Sequence, residues 1–217
     1  MNITDVCAVI LAGGQSRRMG FNKALVDIGG LSLIQMVINR ILPVTDQILI
    51  SSNDCDSYKF LNYPIVTDFY EGRGPLAGFH AAMQQKICSL YIILACDLPN
   101  LQTSFLRNLI AYAEGFDAVI PRSQDGLVHP LCAVYRRTCF PSVEKALERG
   151  ASKVIETFLD DSLSIKWVSP DEGPYQEADL ANINTPEDLQ QFRASIDPGA
   201  AKNSICSSQP SKDPDIL

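Results

Sequence analysis

Two histidines, one tryptophan and no pair of cysteines at the close spacing of a zinc knuckle or a redox dithiol occur in these 217 residues. The missing cysteine pairs exclude small metal-stapled modules and thioredoxin-like chemistry. With histidines only at His80 and His129, no Ser-His-Asp or Cys-His arrangement is legible. The seven cysteines, Cys7, Cys55, Cys88, Cys96, Cys132, Cys139 and Cys206, are odd in number and scattered, which points to reduced thiols and a cytoplasmic setting. No apolar run approaches the roughly 20 residues that cross a bilayer, so no membrane span is expected. Basic residues are the minority, 18 against 25 acidic, and the net charge of -7 repels a nucleic-acid backbone or an anionic membrane. Neither is expected as a partner. The apolar run from Val6 to Ala12 follows Asp5 rather than a cation, and Arg17 and Arg18 come after it, which is the wrong order for a secretion signal. No internal repeat of solenoid period is present.

What remains is an alternation of strand and helix. A chain of this length buries roughly 70% of its unfolded surface as one α/β domain. The runs VCAVIL from Val6, QILISS from Gln47, PIVTD from Pro64 and SLYIILAC from Ser89 read as strands covered on both faces. Between them, Leu31 to Leu42 and Thr103 to Glu114 carry apolar residues at helical spacing. Strand and helix in turn predict a doubly wound, mostly parallel sheet. A second half follows, with DAVIP from Asp117, PLCAVYRR from Pro130, a helix from about Thr138 to Arg149 and a strand SIKWVS from Ser164, expected to extend the same sheet. NTPEDLQQF opens a further helix, capped by Asn184 or Thr185, with Pro186 in its first turn and Glu187 and Asp188 at the positive end of its dipole. One domain over residues 1–196 is expected, and the stretch from Asp197 to Leu217, rich in Pro, Ser, Asp and Gly, reads as a disordered tail.

Chemistry concentrates in VILAGGQSRRMGFNKALV, residues 9–26, where a strand runs into glycines and then into Arg17, Arg18 and Lys23. Glycines let backbone N–H groups approach an anion, which makes phosphate the natural ligand. Gly14 and Gly20 are one residue too far apart for a P-loop, with Phe21 where its lysine belongs, and the dinucleotide fingerprint fails at Gln15 and Ser16. The loop therefore offers mobile cations to a polyphosphate, and a solvated surface turn is the plainer alternative. In YIILACDLP, Asp97 stands just beyond a buried strand, at the sheet edge where α/β proteins bind ligands. One carboxylate there suits Mg²⁺, which usually takes one or two carboxylates plus substrate phosphates. A simple turn cap before Pro99 is the alternative. Asp68, in IVTDFYEGRGPLAGF, lies on the same edge, followed by a turn and a helix rich in small residues.

LAGGQSRRMGFNKAL, DFYEGRGPLAGF, CDLPNL, HPLCAV and ANINTPEDL, in this order and spacing, closely resemble the molybdenum cofactor guanylyltransferases, from about Val6 to Phe192. The resemblance implies a Rossmann-like fold of nucleotidyltransferase type that joins GMP from Mg-GTP to the terminal phosphate of molybdopterin and releases pyrophosphate. It implies that Leu11, Ala12, Gly13 and Lys23 contact GTP, that Asp68 contributes to the nucleotide site, that Asp97 holds Mg²⁺, and that Asn182 and Asn184 lie on the pterin side. Cofactor-insertion proteins would receive the product. Where the family often has an asparagine after the second strand, this chain has Ser51, with Asn53 two residues on, so either residue is a candidate for that contact. Asn22 precedes Lys23 where many relatives carry an acidic residue.

A phosphate monoester acceptor, with a second pKa near 6, is largely dianionic at neutral pH and needs no general base. The obstacle is bringing two anions together, so Asp97 with its metal, Lys23 and Arg18 are the expected catalytic groups, acting by positioning and charge neutralisation. His129 is expected to shape the site, and His80 to be structural. The residues leave open transfer from CTP to molybdopterin, activation of a sugar phosphate, and a carrier that binds GTP without turning it over.

Overall fold

Strands form where apolar residues run without interruption, and helices where they recur three or four apart. The computed structural model describes residues 5–13, 21–158, 162–172 and 175–196. Arg17 and Arg18 of the first loop, and the stretch expected as a tail, lie outside them. In chain order the elements are β1 (Val6–Leu11), a small hairpin of β2 (Asp27–Ile28) and β3 (Leu31–Ser32), α1 (Leu33–Ile41), β4 (Ile48–Ser51), β5 (Ile65–Val66), α2 (Gly74–Gln85), β6 (Leu90–Ala95), α3 (Thr103–Tyr112), β7 (Ala118–Pro121), β8 (Cys132–Arg136), α4 (Phe140–Glu148), β9 (Ile165–Val168) and α5 (Pro186–Ile196).

Seven strands make one sheet in the order β5-β4-β1-β6-β8-β7-β9, so the second half does extend the first. β1 pairs in parallel with β4 and with β6, and β4 with β5. Only β8 runs against its neighbours, between β6 and β7. β1 and β6 are buried at every position, as expected of central strands covered on both faces. Alternate residues feed two cores. On one face Val6, Ala8 and Ile10 of β1 meet Ile34, Val37 and Ile41 of α1 and Phe105 and Leu109 of α3. On the other, Cys7 and Val9 meet Leu76, Phe79 and Met83 of α2 and Val143 and Leu147 of α4.

The Leu31–Leu42 helix starts two residues later than the apolar spacing suggests. Gly29 and Gly30, at φ 65° and 90°, turn the chain into the β2–β3 hairpin, which absorbs Leu31, and the Gln35 side chain then accepts the Ser32 N–H at 2.9 Å to start α1. The PIVTD strand is also shorter than its sequence suggests: β5 stops at Val66, because beyond it Asp68 pairs with Asn53 instead of continuing the ladder.

The strand order reverses beside β1: the chain goes from β1 to β4 and β5, then returns through α2 to place β6 on the other side of β1. A crevice outside the carboxyl ends of such strands is where open α/β sheets take their ligands. No helix among the described residues is long and apolar enough to cross a membrane.

Candidate active site

The crevice is built from three loops. The first leaves β1 at Leu11, and the N–H groups of Ala12 and Gly13 both donate to the Ser51 carbonyl at the end of β4, at 2.9 and 3.0 Å. After the undescribed residues 14–20, which include Arg18, the chain returns with a short helical turn, Lys23–Leu25, capped by the Asn22 side chain on the Ala24 N–H at 3.1 Å. Tyr58 ties the two ends of this loop together. Its buried hydroxyl donates to the Ala12 carbonyl at 3.0 Å and accepts from Asn22 Nδ2 at 3.0 Å. Burial pushes its pKa up to about 12, so it stays protonated and able to donate. Nothing local in the sequence marks Tyr58 for this role, because the contact to Ala12 spans 46 residues.

The second loop leaves β6 and carries Asp97, which is 5% exposed. One carboxylate oxygen is paired with Lys23 Nζ, and the other accepts from Asn182 Nδ2 at 2.9 Å. The third loop, just before α5, closes over this pair. The Ile183 N–H donates to the Asp97 carbonyl at 3.0 Å, while Lys23 Nζ also donates to Asn184 Oδ1 at 3.0 Å and to the Ile183 carbonyl at 3.3 Å. An ammonium has three protons, and here all three have acceptors. Asn184 is held in turn by the start of α5, where Asp188 accepts the N–H groups of Asn184 and Thr185 at 2.9 Å each and donates its own N–H to Thr185 Oγ1. Those bonds hold the Asp188 carboxyl below its usual range. Lys23, Asp97, Asn182 and Asn184, expected at opposite sides of a cleft, thus form one hydrogen-bonded cluster.

The remaining candidates lie on the β4–β5 side. Asn53 and Asp68 bond reciprocally, Asn53 Nδ2 donating to Asp68 Oδ2 and the Asp68 N–H to Asn53 Oδ1, both at 2.9 Å. Burial raises the Asp68 pKa, and the Asn53 amide opposes that shift. Ser51 is only 3% exposed, with its hydroxyl under Gly78 of α2, where any Cβ would collide with it. Of the two residues proposed for the same contact, only Asn53 is open to solvent. Leu11 is buried, and Gly13 is exposed at the lip.

The histidines stand apart from the cluster. His129 Nε2 lies 2.6 Å from Ser123 Oγ, and burial lowers its pKa against the pull of Asp125 and Glu177. His80 is buried in α2, stacked on Phe140 with centroids 5.3 Å apart.

A carboxylate and an ammonium at the mouth of β1 and β6 suit phosphate chemistry without naming it. Residues 8–163 match the model of the MobA-like NTP transferase domain. The chain belongs to this family. It has relatives along most of its length. A protein of Desulfosudis oleivorans named molybdenum cofactor guanylyltransferase is 33% identical over 199 residues, covering 89% of this chain and 97% of the relative. One from Carboxydothermus hydrogenoformans, named "Probable molybdenum cofactor guanylyltransferase", is 34% identical over 191 residues, covering 87% and 95%. The crystal structure of molybdopterin-guanine dinucleotide biosynthesis protein A from Archaeoglobus fulgidus superposes with a TM-score of 0.73 at 25% identity, over 87% of this chain and 97% of that one. The MobA-like chain is therefore a nucleotidyltransferase in fold and family.

Proposed function

We propose that the protein transfers GMP from Mg-GTP to the terminal phosphate of molybdopterin, releasing pyrophosphate and giving the guanine dinucleotide form of the cofactor, in the cytoplasm. The observation that carries this reading is the cluster of Lys23, Asp97, Asn182 and Asn184 at the carboxyl ends of β1 and β6, in a chain whose relatives bear that activity in their names. The Asp97 carboxylate fits Mg²⁺. It uses one acceptor position for Asn182 and one for Lys23, which leaves lone pairs for a cation. Among the described residues no group of three or more His, Cys, Asp or Glu could hold a metal alone. A single carboxylate completed by substrate phosphates is the usual arrangement for this ion. Bound there, Mg²⁺ neutralises charge on the triphosphate.

The protein's own groups do the rest. Lys23 exchanges at least one of its three acceptors for a phosphate oxygen, so it screens the approach of one anion to another. Arg18 is the second cation of this reading. The N–H groups of Ala12 and Gly13 are already bonded to the Ser51 carbonyl, so they fix the path of the loop, and the nucleotide contact proposed for Leu11, Ala12 and Gly13 is made along this stretch, whose exposed lip is Gly13. Asn53 and Asp68 face the nucleotide from the β4–β5 side. Asn182 and Asn184 face the acceptor, whose dianionic phosphate needs no proton removed.

Incubating the protein with Mg²⁺, molybdopterin and each α-labelled nucleotide tests the reading. Label transfer from GTP with release of pyrophosphate is expected. Transfer from CTP alone would overturn the guanine assignment. GTP-dependent thermal stabilisation, about 2.7 kcal/mol at a hundredfold excess over Kd, without pyrophosphate release would make the protein a carrier.

A further inference from the structure

A relay of hydrogen bonds runs behind Lys23, on the side away from Asp97, and no step of the proposed transfer uses it. Tyr58 stands in a helical turn, Asp56–Leu61, that follows β4, and it is fully buried in the core on the α1 side of the sheet. Its hydroxyl donates to the Ala12 carbonyl at 3.0 Å and accepts from Asn22 Nδ2 at 3.0 Å; Asn22 Oδ1, at 3.2 Å, is the more distant of the two acceptors in reach of its proton. The other end of the Asn22 amide, Oδ1, accepts the Ala24 N–H at 3.1 Å and so starts the Lys23–Leu25 turn.

The relay fastens the turn to the end of β1, because Ala12 is itself held by its N–H on the Ser51 carbonyl. Lys23 has need of such a fastening. Its ammonium must meet Asp97, the Ile183 carbonyl and Asn184 on two other loops, and a lysine stem is flexible enough that the place of its backbone decides what it can reach.

The plain alternative is that Tyr58 is a core residue whose hydroxyl takes the nearest carbonyl. The ring alone would then suffice, and either an amide or a carboxylate at position 22 would cap the turn equally well. The donor pattern separates the two cases. An aspartate could still accept the Ala24 N–H, but it has no N–H to give the Tyr58 hydroxyl. The single hydroxyl proton would turn to the carboxylate, where the bond is charge-assisted, and leave the Ala12 carbonyl without it.

We propose that Tyr58 and Asn22 are positioning residues for Lys23, acting through one relay that requires a hydroxyl at position 58 and an amide at position 22. The inference rests on the reading of Lys23 as a cation that meets the nucleotide's phosphates.

Two measurements on the full chain test it: hydrogen exchange at the Ala24 N–H without nucleotide, and calorimetric titration with Mg-GTP. Tyr58→Phe keeps the buried ring and drops the hydroxyl. It is expected to speed exchange at Ala24 several-fold and to weaken Mg-GTP binding about fivefold. In a Lys23→Ala background the same change is expected to cost no further affinity, since the relay acts through Lys23. Asn22→Asp, at an exposed position that spares the core, is expected to weaken Mg-GTP binding more in the Tyr58 protein than in Tyr58→Phe; the loss common to both is repulsion by the added charge, and the excess is the broken relay. Equal exchange at Ala24 in wild type and Tyr58→Phe would overturn the relay whatever the nucleotide. An equal affinity loss from Tyr58→Phe with and without Lys23 would overturn its action on Lys23, and strict additivity of Asn22→Asp and Tyr58→Phe would overturn the need for an amide. Faster exchange in Tyr58→Phe together with no Mg-GTP binding by the wild type would instead overturn the transfer reading, and the positioning role with it.

Discussion

The two walls of the crevice are held in different ways. On the β4–β5 side, shape and backbone fix the geometry: the loop after β1 hangs on the Ser51 carbonyl, and Gly78 lets α2 lie directly over the Ser51 hydroxyl. On the β6 side, charge does the work, with Lys23, Asp97, Asn182 and Asn184 bonded to one another. A wall held by shape should answer substitution with lost stability, and a wall held by charge with lost activity. The largest effect is expected at the charged wall. Asp97→Ala should lower turnover by at least about 10²- to 10³-fold with the far-UV circular dichroism unchanged; near-normal steady-state turnover would remove Asp97 from the chemistry. Lys23→Ala comes next, weakening GTP binding in the presence of Mg²⁺ by about tenfold or more; calorimetry showing unchanged affinity would leave Lys23 as only a partner for Asp97.

The shaped wall should respond the other way. Gly78→Ala forces a methyl group into the Ser51 hydroxyl and the Leu11 side chain, which is expected to cost roughly 1–3 kcal/mol in urea unfolding. Adding Ser51→Ala should recover part of that loss; strict additivity of the two changes would show that the close approach is not what matters. Asn53→Ala is a finer probe, because it frees the Asp68 N–H and carboxylate in a place water can reach. About 1 kcal/mol or less of stability is expected to go, with the larger change in the KM for GTP, and a KM equal to wild type would leave the Asn53–Asp68 pair a purely structural clasp. The smallest effect concerns pH. Burial lowers the pKa of both His80 and His129, so both are neutral in the fold. Their contribution to stability is complete above the ordinary histidine value near 6.5 and is lost as pH falls through the depressed folded values. Tm should decline over that acid range, less steeply in His80→Gln, and parallel curves for the two proteins would clear His80 of any part.

The two walls were not equally legible in the sequence. Strands such as VCAVIL and SLYIILAC announce themselves by continuous apolar runs, and the NTPEDL helix start by its cap and acidic first turn. The hairpin turned by Gly29 and Gly30 was hidden because Leu31 also fits the helical spacing of α1, although two glycines between short runs are a hairpin signal. The reversed direction of β8 has no local signature at all, since a strand's sequence does not carry its direction. Asp97 and Lys23 were visible as separate candidates from their places beside a strand end and a glycine loop. Their meeting was not, because the contact spans 74 residues, and Asn182 reaches Asp97 across 85. Tyr58 was missed for the same reason, and Ser51 could be named but not placed until α2 was seen lying on it.

The bond from Lys23 to Asn184 reaches over 161 residues of chain. At a synthesis rate of roughly 5–20 residues per second, about 8 to 32 seconds separate the two on the ribosome. Through that interval the nascent protein can lay down its central strands, yet the ammonium at its beginning has no asparagine to receive it. The hydrogen-bonded cluster is assembled last, by the segment that enters α5, and a chain cut short before that point would be a scaffold with an unfinished centre.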